Sequence, residues 1–284
     1  MAVHHLKEYI RPADLEEALA TVRRHGDAAR PIGGGIDLVR HTPPAVTTLV
    51  DLTSLPLSYI RAADDGIHIG ATTTLGEIEG DPLLGDYAGG VVPDMLHGVG
   101  SMQLRNLATL GGALVGAHPW SDVVPVGLAL AATVSVYDGV SHELPLAELL
   151  GSREPHPPLV TAIHLPTDGG SLWAAFVKFA ATGFDVATLN VCVALRWKEG
   201  SCAAPCVVIG GTPWLATAVP AAAAELAGRP LVKDTIASAA AAAARQARVG
   251  DDRRATATYR RTLVEVGVRR ALERIAAMTT GGRS

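Results

Sequence analysis

Two stretches of the sequence cluster glycines where a phosphate-bearing ligand would meet backbone N–H donors. The first is RPIGGGIDLVR, Arg30 to Arg40, with Gly33, Gly34 and Gly35 in a row. The second is RNLATLGGALVGAHPWSDVVP, Arg105 to Pro125, with Gly111 and Gly112 adjacent. Glycine has no Cβ, so it admits positive φ and lets another backbone or a ligand come close. Successive main-chain N–H groups in such a loop form an anion-binding concavity, and a helix that begins directly afterwards reinforces it. Two loops of this kind in one domain have the chemistry to grip both phosphates of a dinucleotide. Read alone, each also fits an ordinary turn. Neither matches the Rossmann fingerprint or a phosphate-binding P-loop, and GIHIGA, residues 66–71, is spaced wrongly and lies in a strand.

Other chemistry-bearing residues are sparse. Among ten histidines only His118, beside Pro119 and Trp120 in the second stretch, stands where it could stack or hydrogen-bond against a ligand. Cys192, Cys202 and Cys206 are an odd number, and the last two lie four apart without a partner set. No metal site and no iron–sulfur cluster is therefore expected on this chain, and a reduced, cytoplasmic setting is. No nucleophile–base pair emerges, so no protein side chain is assigned a catalytic role. The net charge of −4 argues against nucleic acid or an anionic membrane as the main partner. The basic amphipathic stretch RRTLVEVGVRR, residues 260–270, reads as a solvated helix face or a subunit interface. The N-terminal MAVHHLKEYIRP lacks the apolar core of a secretory signal. The longest apolar run, VVPVGLALAATVSV (residues 123–136), falls short of the roughly 18 residues a membrane span needs and reads as a buried helix leading into a strand.

The elements around the glycines follow an α/β rhythm. RPADLEEALATVRRHG has Pro12 in a first-turn position, Asp14 and Glu16 at the positive end, an apolar face of Leu15, Ala18, Leu19 and Val22, and Gly26 as its stop. ARPI and TTLVDL read as strands, which makes a strand–helix–strand–loop–strand unit. GIHIGATTTLGEIEG gives a strand and a helix starting at Thr73 or Thr74. ATVSVYDGVSHELPLAELL reads as a hairpin turning at Asp138-Gly139, followed by a short helix. PPLVTAIHLP is a further strand, and PTDGGS, residues 166–171, marks the best boundary. Beyond it come three strands (WAAFVKFA, DVATLNVCVALRW and APCVVIGG) and then three helices, the second capped by Asp234 and carrying an alanine run at 239–244. Asp37 is placed to cap the helix after the first loop.

These residues resemble the FAD-binding subunit or domain of the xanthine dehydrogenase and carbon monoxide dehydrogenase family of molybdenum hydroxylases. Gly33-Gly34-Gly35-Ile36-Asp37-Leu38 is similar to the family's A-G-G-T/H-D/S-L. Arg105-Asn106-Leu107-Ala108-Thr109-Leu110-Gly111-Gly112-Ala113, with Ser121-Asp122-Val123-Val124-Pro125 after it, is similar to R-N-x-A-T-I/L-G-G-N and S-D-x-x-P. GATTTLGEIE, FDVATLNVCVAL and YRRTLVEVGVRRAL match further family stretches in order, from about residue 8 to about residue 274.

The resemblance implies an α+β fold. A two-subdomain FAD-binding domain would span residues 1–166 (subdomains about 1–55 and 56–166), and an α+β domain with a three-stranded antiparallel sheet would span 172–280. It implies FAD held by Pro31, Ile32, Gly33, Gly34, Gly35, Ile36, Asp37 and Leu38 and by Thr109, Leu110, Gly111, Gly112 and Ala113, mainly through backbone N–H. Asp122 would touch the cofactor's polar part and Lys178 would lie near the flavin. It also implies an oxidoreductase complex in which a molybdopterin large subunit and an iron–sulfur small subunit feed electrons to FAD, with NAD, oxygen or a quinone as acceptor. The chain departs from the family pattern at Ala113, where the family has Asn, at Ile36, at Ala181-Thr182, and in a shortened 139–158 segment. A free-standing FAD-dependent oxidoreductase, or an assembly subunit without flavin, is also consistent with those departures.

Overall fold

The structure is a computed structural model that describes residues 5–152, 159–167 and 171–281. The family stretch shortened at 139–158 and the 166–171 boundary both fall partly outside the described residues. Contacts gather the chain into two compact units. One holds Met1–Ile78, Ser101–Gly116 and Ala132–Leu165; the other holds Glu79–Gly100, Ala117–Ala131 and Pro166–Ser284.

The first unit carries two sheets. In the smaller, β1 (Glu8–Ile10), β2 (Ala29–Ile32) and β3 (Thr48–Asp51) are all parallel, with β3 in the middle. The crossover helix Leu15–His25 is fixed by its own sequence. Asp14 accepts from Glu17 N, Glu17 Oε2 accepts from Ala13 N, and Gly26 ends the helix at φ +55°. Asp14 thus caps the helix, and the Glu17 carboxylate reaches back to the N–H of the residue before the cap, a variant of the capping box. Its buried face (Ala18, Leu19, Val22) packs with Val50, Leu52, Leu55 and Leu57. The larger sheet orders β4 (Ile60–Ala63), β5 (Gly66–Gly70), β6 (Thr133–Tyr137), β7 (Ser141–Pro145) and β8 (Leu159–Pro166) as β4-β5-β8-β6-β7. The β6–β7 hairpin turns at Asp138-Gly139, where Asp138 Oδ1 accepts from Val140 N and Gly139 takes φ +116°.

The second unit is built on β9 (Leu172–Phe179), β10 (Leu189–Lys198) and β11 (Ser201–Gly210), all antiparallel, with the two-residue β12 (Thr217–Ala218) on the edge. The three strands expected from the sequence are the long ones. On β10, Leu189, Val191, Val193 and Leu195 join a core with Ile236, Ala239, Ala243, Val264, Val268 and Leu272 from two helices, Lys233–Gln246 and Ala257–Gly281. The alanine run supplies that core with Cβ-only surfaces, so the helices approach closely. Asp234 lies inside the first turn of Lys233–Gln246 rather than capping it; the cap position is Val232, which makes no side-chain bond. Among the described residues no helix is long and apolar enough to cross a membrane. The run at 123–136 is the buried helix Val123–Ala129 followed by β6, as its sequence suggests.

Candidate functional site

The two glycine stretches meet within the first unit. β2 delivers Pro31 and Ile32 to the first loop, and Ile32 is anchored among Val46, Leu49 and Leu38. A Cβ built on Gly34 would overlap the carbonyl oxygen of Leu107, and one on Gly33 would sit 2.5 Å from Thr109 Oγ1. The loops are thus locked backbone to backbone, a distance only glycine allows. Gly35 turns the chain at φ +71° into the short helix Leu38–His41. Asp37 stands at the cap position of that helix but makes no capping bond; its Oδ1 meets His41 Nδ1 at 2.9 Å instead.

The second loop is braced from its other side. Leu75 N donates to Ala108 O and Leu110 N to Thr73 O, while Gly111 N donates to Ala71 O. A Cβ on Gly111 would lie 2.9 Å from both Cβ and O of Ala71. Thr109 caps the helix Leu110–Val115, its Oγ1 accepting from Gly112 N, and Ala113 N closes on Thr109 O. The motif GATTTLGEIE folds as this brace. Thr74 and Glu77 form a capping box, with Thr74 N donating to Glu77 Oε2 and Glu77 N to Thr74 Oγ1, so the helix starts at Leu75.

The accounting of donors separates the two loops. The N–H groups of Leu110, Gly111, Gly112 and Ala113 are spent inside the protein. Among the described residues no protein acceptor takes the N–H of Gly34, Gly35 or Ile36. Backbone donors left without a partner are a site for an acceptor from outside. The first loop therefore offers the donors, and the second holds it in shape. A cradle of open N–H groups beside a Cβ-free backbone contact fits a pyrophosphate, and so fits FAD.

Asp122 and Lys178 are brought together in the second unit. Asp122 precedes the helix Val123–Ala129, and Lys178 comes from β9. Lys178 Nζ donates to Asp122 Oδ2 at 2.7 Å and to Gly98 O at 2.8 Å. Burial pushes the Asp122 carboxyl up, against the pull of the Lys178 ammonium and the Asn190 amide. Asn190 was not singled out from sequence. Fully buried on β10, it donates from Nδ2 to Asp122 Oδ1 at 2.7 Å and to Ser121 O at 2.9 Å. The available signal was one amide inside the apolar run LNVCVAL, since a buried polar group requires a partner.

His118 stacks on Trp120, ring centroids 4.7 Å apart and planes 6° apart, with the Arg254 guanidinium 5.1 Å from the Trp120 centroid. Cys192 and Cys202 are buried and Cys206 is half-buried. Burial pushes Cys192 and Cys206 up, and Cys202 to about 11, so none is poised as a thiolate.

Comparison with known proteins places these features. Residues 4–168 match the family described as FAD binding domain in molybdopterin dehydrogenase, and residues 174–275 match the CO dehydrogenase flavoprotein C-terminal domain. The chain is 28% identical to the glyceraldehyde dehydrogenase medium chain of Sulfolobus acidocaldarius, over 94% of this chain and 98% of that one. It is 30% identical to the 6-hydroxypseudooxynicotine dehydrogenase complex subunit alpha of Paenarthrobacter nicotinovorans, over 94% of this chain and 95% of the other. In fold it superimposes on carbon monoxide dehydrogenase from Hydrogenophaga pseudoflava with a TM-score of 0.88, at 23% identity, covering 96% of this chain and 98% of that chain. With both of its halves matched and relatives aligned over nearly their whole length, the chain belongs to the FAD-binding medium subunits of the molybdenum hydroxylases, components of FAD-containing dehydrogenases.

Proposed function

We propose that the chain is the electron-transfer flavin subunit of a cytoplasmic three-part dehydrogenase. A molybdopterin subunit oxidises the substrate, an iron–sulfur subunit relays the electrons, and this chain collects them on FAD and delivers them to NAD, oxygen or a quinone. The observation that carries the reading is the pair of glycine loops locked together with the N–H groups of Gly34, Gly35 and Ile36 left open. When bound, FAD supplies a site that accepts electrons singly and releases them in pairs; the protein's share is binding and polarity. In this reading Pro31 to Leu38 hold the pyrophosphate and Thr109 to Ala113 brace them, within an FAD-binding domain of residues 1–166 followed by an α+β domain of 172–280. In the second unit Lys178 and Asn190 hold the Asp122 carboxylate in place.

The test is purification from cells that express the neighbouring genes. A yellow chain that brings down an iron–sulfur protein and a molybdopterin protein supports the proposal. A yellow chain without partners means a free-standing flavoenzyme, and a folded, colourless chain that fails to quench added FAD means an assembly subunit without flavin.

Ala113 gives a finer prediction. It lies half-buried in the first turn of the bracing helix, where the family pattern carries Asn. Ala113→Asn restores the amide that the family pattern carries at this position. One hydrogen bond contributes about 0.5–1.5 kcal/mol, so FAD affinity by fluorescence titration is expected to rise roughly 2- to 10-fold. Unchanged affinity means that this loop acts through its backbone alone.

A further inference from the structure

Away from the glycine cradle, on the larger sheet of the first unit, three side chains with metal-ligand chemistry converge. Asp65 sits in the β4–β5 turn, His68 on β5, and His164 near the end of β8, a neighbour of β5 in the sheet. One ligand atom from each lies within 4.8 Å of the other two. His68 Nε2 is 3.0 Å from Asp65 Oδ1, and His164 Nε2 is 3.7 Å from Asp65 Oδ2. The imidazoles stack, centroids 4.5 Å apart and planes inclined by 22°.

We propose that Asp65, His68 and His164 form a divalent transition-metal site, with zinc as its ion, that clips the β4–β5 turn onto β8.

The donor set decides the class of ion. Two imidazole nitrogens and a carboxylate suit zinc and its borderline neighbours, whereas magnesium and calcium take oxygen. Ligand atoms around a tetrahedral zinc stand about 3.3 Å apart, given bonds of about 2.0–2.1 Å. The two histidine–carboxylate distances, 3.0 Å to Oδ1 and 3.7 Å to Oδ2, lie on either side of that value, and Asp65, with 63% of its side chain exposed, is free to adjust. Three protein ligands leave the fourth position to water.

Two features of the surroundings support the ligation. His164 Nδ1 lies 3.3 Å from Thr133 Oγ1, an outer partner able to take Nδ1–H in the tautomer that frees the Nε2 lone pair for the metal. Without a metal, Nε2 donates to the Asp65 carbonyl oxygen at 3.2 Å and Nδ1 accepts from Thr133 Oγ1, so zinc binding exchanges that tautomer for the other. Gly66 makes room for it. Its φ is +153°, and a Cβ there would lie 2.7 Å from His164 Nε2 and overlap the carbonyl oxygen of Leu165. The clip would tie together positions 99 residues apart in the chain.

The test uses the full chain, stripped with a chelator and titrated with zinc by calorimetry and with cobalt(II) by visible absorption. One zinc per chain is expected, with cobalt d–d bands of a nitrogen–oxygen tetrahedral site. Asp65→Ala and His68→Ala, both at positions open enough to keep the fold, are expected to weaken zinc binding roughly tenfold or more. His5→Ala and Cys206→Ser, which remove other potential ligands, are expected to leave it unchanged. Circular dichroism establishes that each variant is folded. Failure of the wild-type chain to take up zinc, or uptake that survives Asp65→Ala/His68→Ala unaltered, overturns the proposal.

Discussion

Replacing Gly34 by valine is expected to strip the chain of FAD while leaving it folded. The argument is steric. Any Cβ at Gly34 overlaps the Leu107 carbonyl oxygen, and the obstacle is backbone, which no change of rotamer moves aside. The loops must then separate, and the N–H groups of Gly35 and Ile36 swing out of line with whatever they bind. Overpacking of this kind costs about 1–3 kcal/mol, which corresponds to roughly a 5- to 100-fold loss in affinity if the strain falls on the bound form. FAD content after gel filtration and a fluorescence titration measure it. Gly85→Ala is the control, because a Cβ there meets nothing within 4 Å. Wild-type FAD affinity in a folded Gly34→Val chain would mean that the contact between the loops has no part in holding the cofactor.

The second large effect concerns the buried ion pair. Lys178→Met keeps the volume of the side chain but leaves Asp122 without its ammonium, and both side chains are almost buried, at 12% and 6% exposed. Breaking one partner of such a pair costs about 3–5 kcal/mol. The loss depends on pH, and its sign follows from the direction of the shift. Burial already pushes the Asp122 carboxyl up, with Lys178 the main opposing influence. Without Lys178 the carboxyl rises further above its unfolded value. A carboxyl raised in the folded state favours folding most below the unfolded pKa of about 3.9, and that advantage disappears as pH climbs through the folded value. Lys178→Met should therefore come closest to wild type in acid and fall furthest behind near neutral pH. Asp122→Asn/Lys178→Met, which removes both charges, should recover part of the loss. Urea melts across that pH range measure all three.

Most of the fold was legible because its signals are local. Gly26 stops a helix, although that helix begins at Leu15 with Asp14 as its cap and leaves Pro12, expected in its first turn, outside; Asp138-Gly139 closes a hairpin, and the nearly unbroken apolar run LNVCVAL writes a buried strand. The glycine loops were legible as a pair but not in their division of labour. Which loop spends its N–H groups depends on Ala71 and Thr73, residues that reach the second loop only through the folded chain. Asp37 and Asp234 show the limit of cap rules. Each has the right type at a helix start, yet His41 claims the first and the helix begins two residues too early for the second. The expectation of no metal site came from spacing along the chain, and spacing is silent about Asp65 and His164, which only the sheet brings together. Asn190 was visible as an oddity in an apolar run, but its partners Ser121 and Asp122 lie nearly seventy residues away, at separations of 69 and 68.

Asn190 has one more consequence. On β10 its neighbours Leu189 and Val191 face the helices, while Asn190 itself faces Asp122. A strand built almost entirely of Val, Leu, Ala and Cys has little to tell one pairing frame from the next, because either face would be content in an apolar core. Slippage by a single residue would carry the amide away from its carboxylate and into the packing of Val264, Val268 and Leu272, where nothing can satisfy it. Asn190 thus serves as the strand's address mark. It makes every misaligned sheet expensive, and so fixes where Lys178, on the adjoining strand, comes to rest.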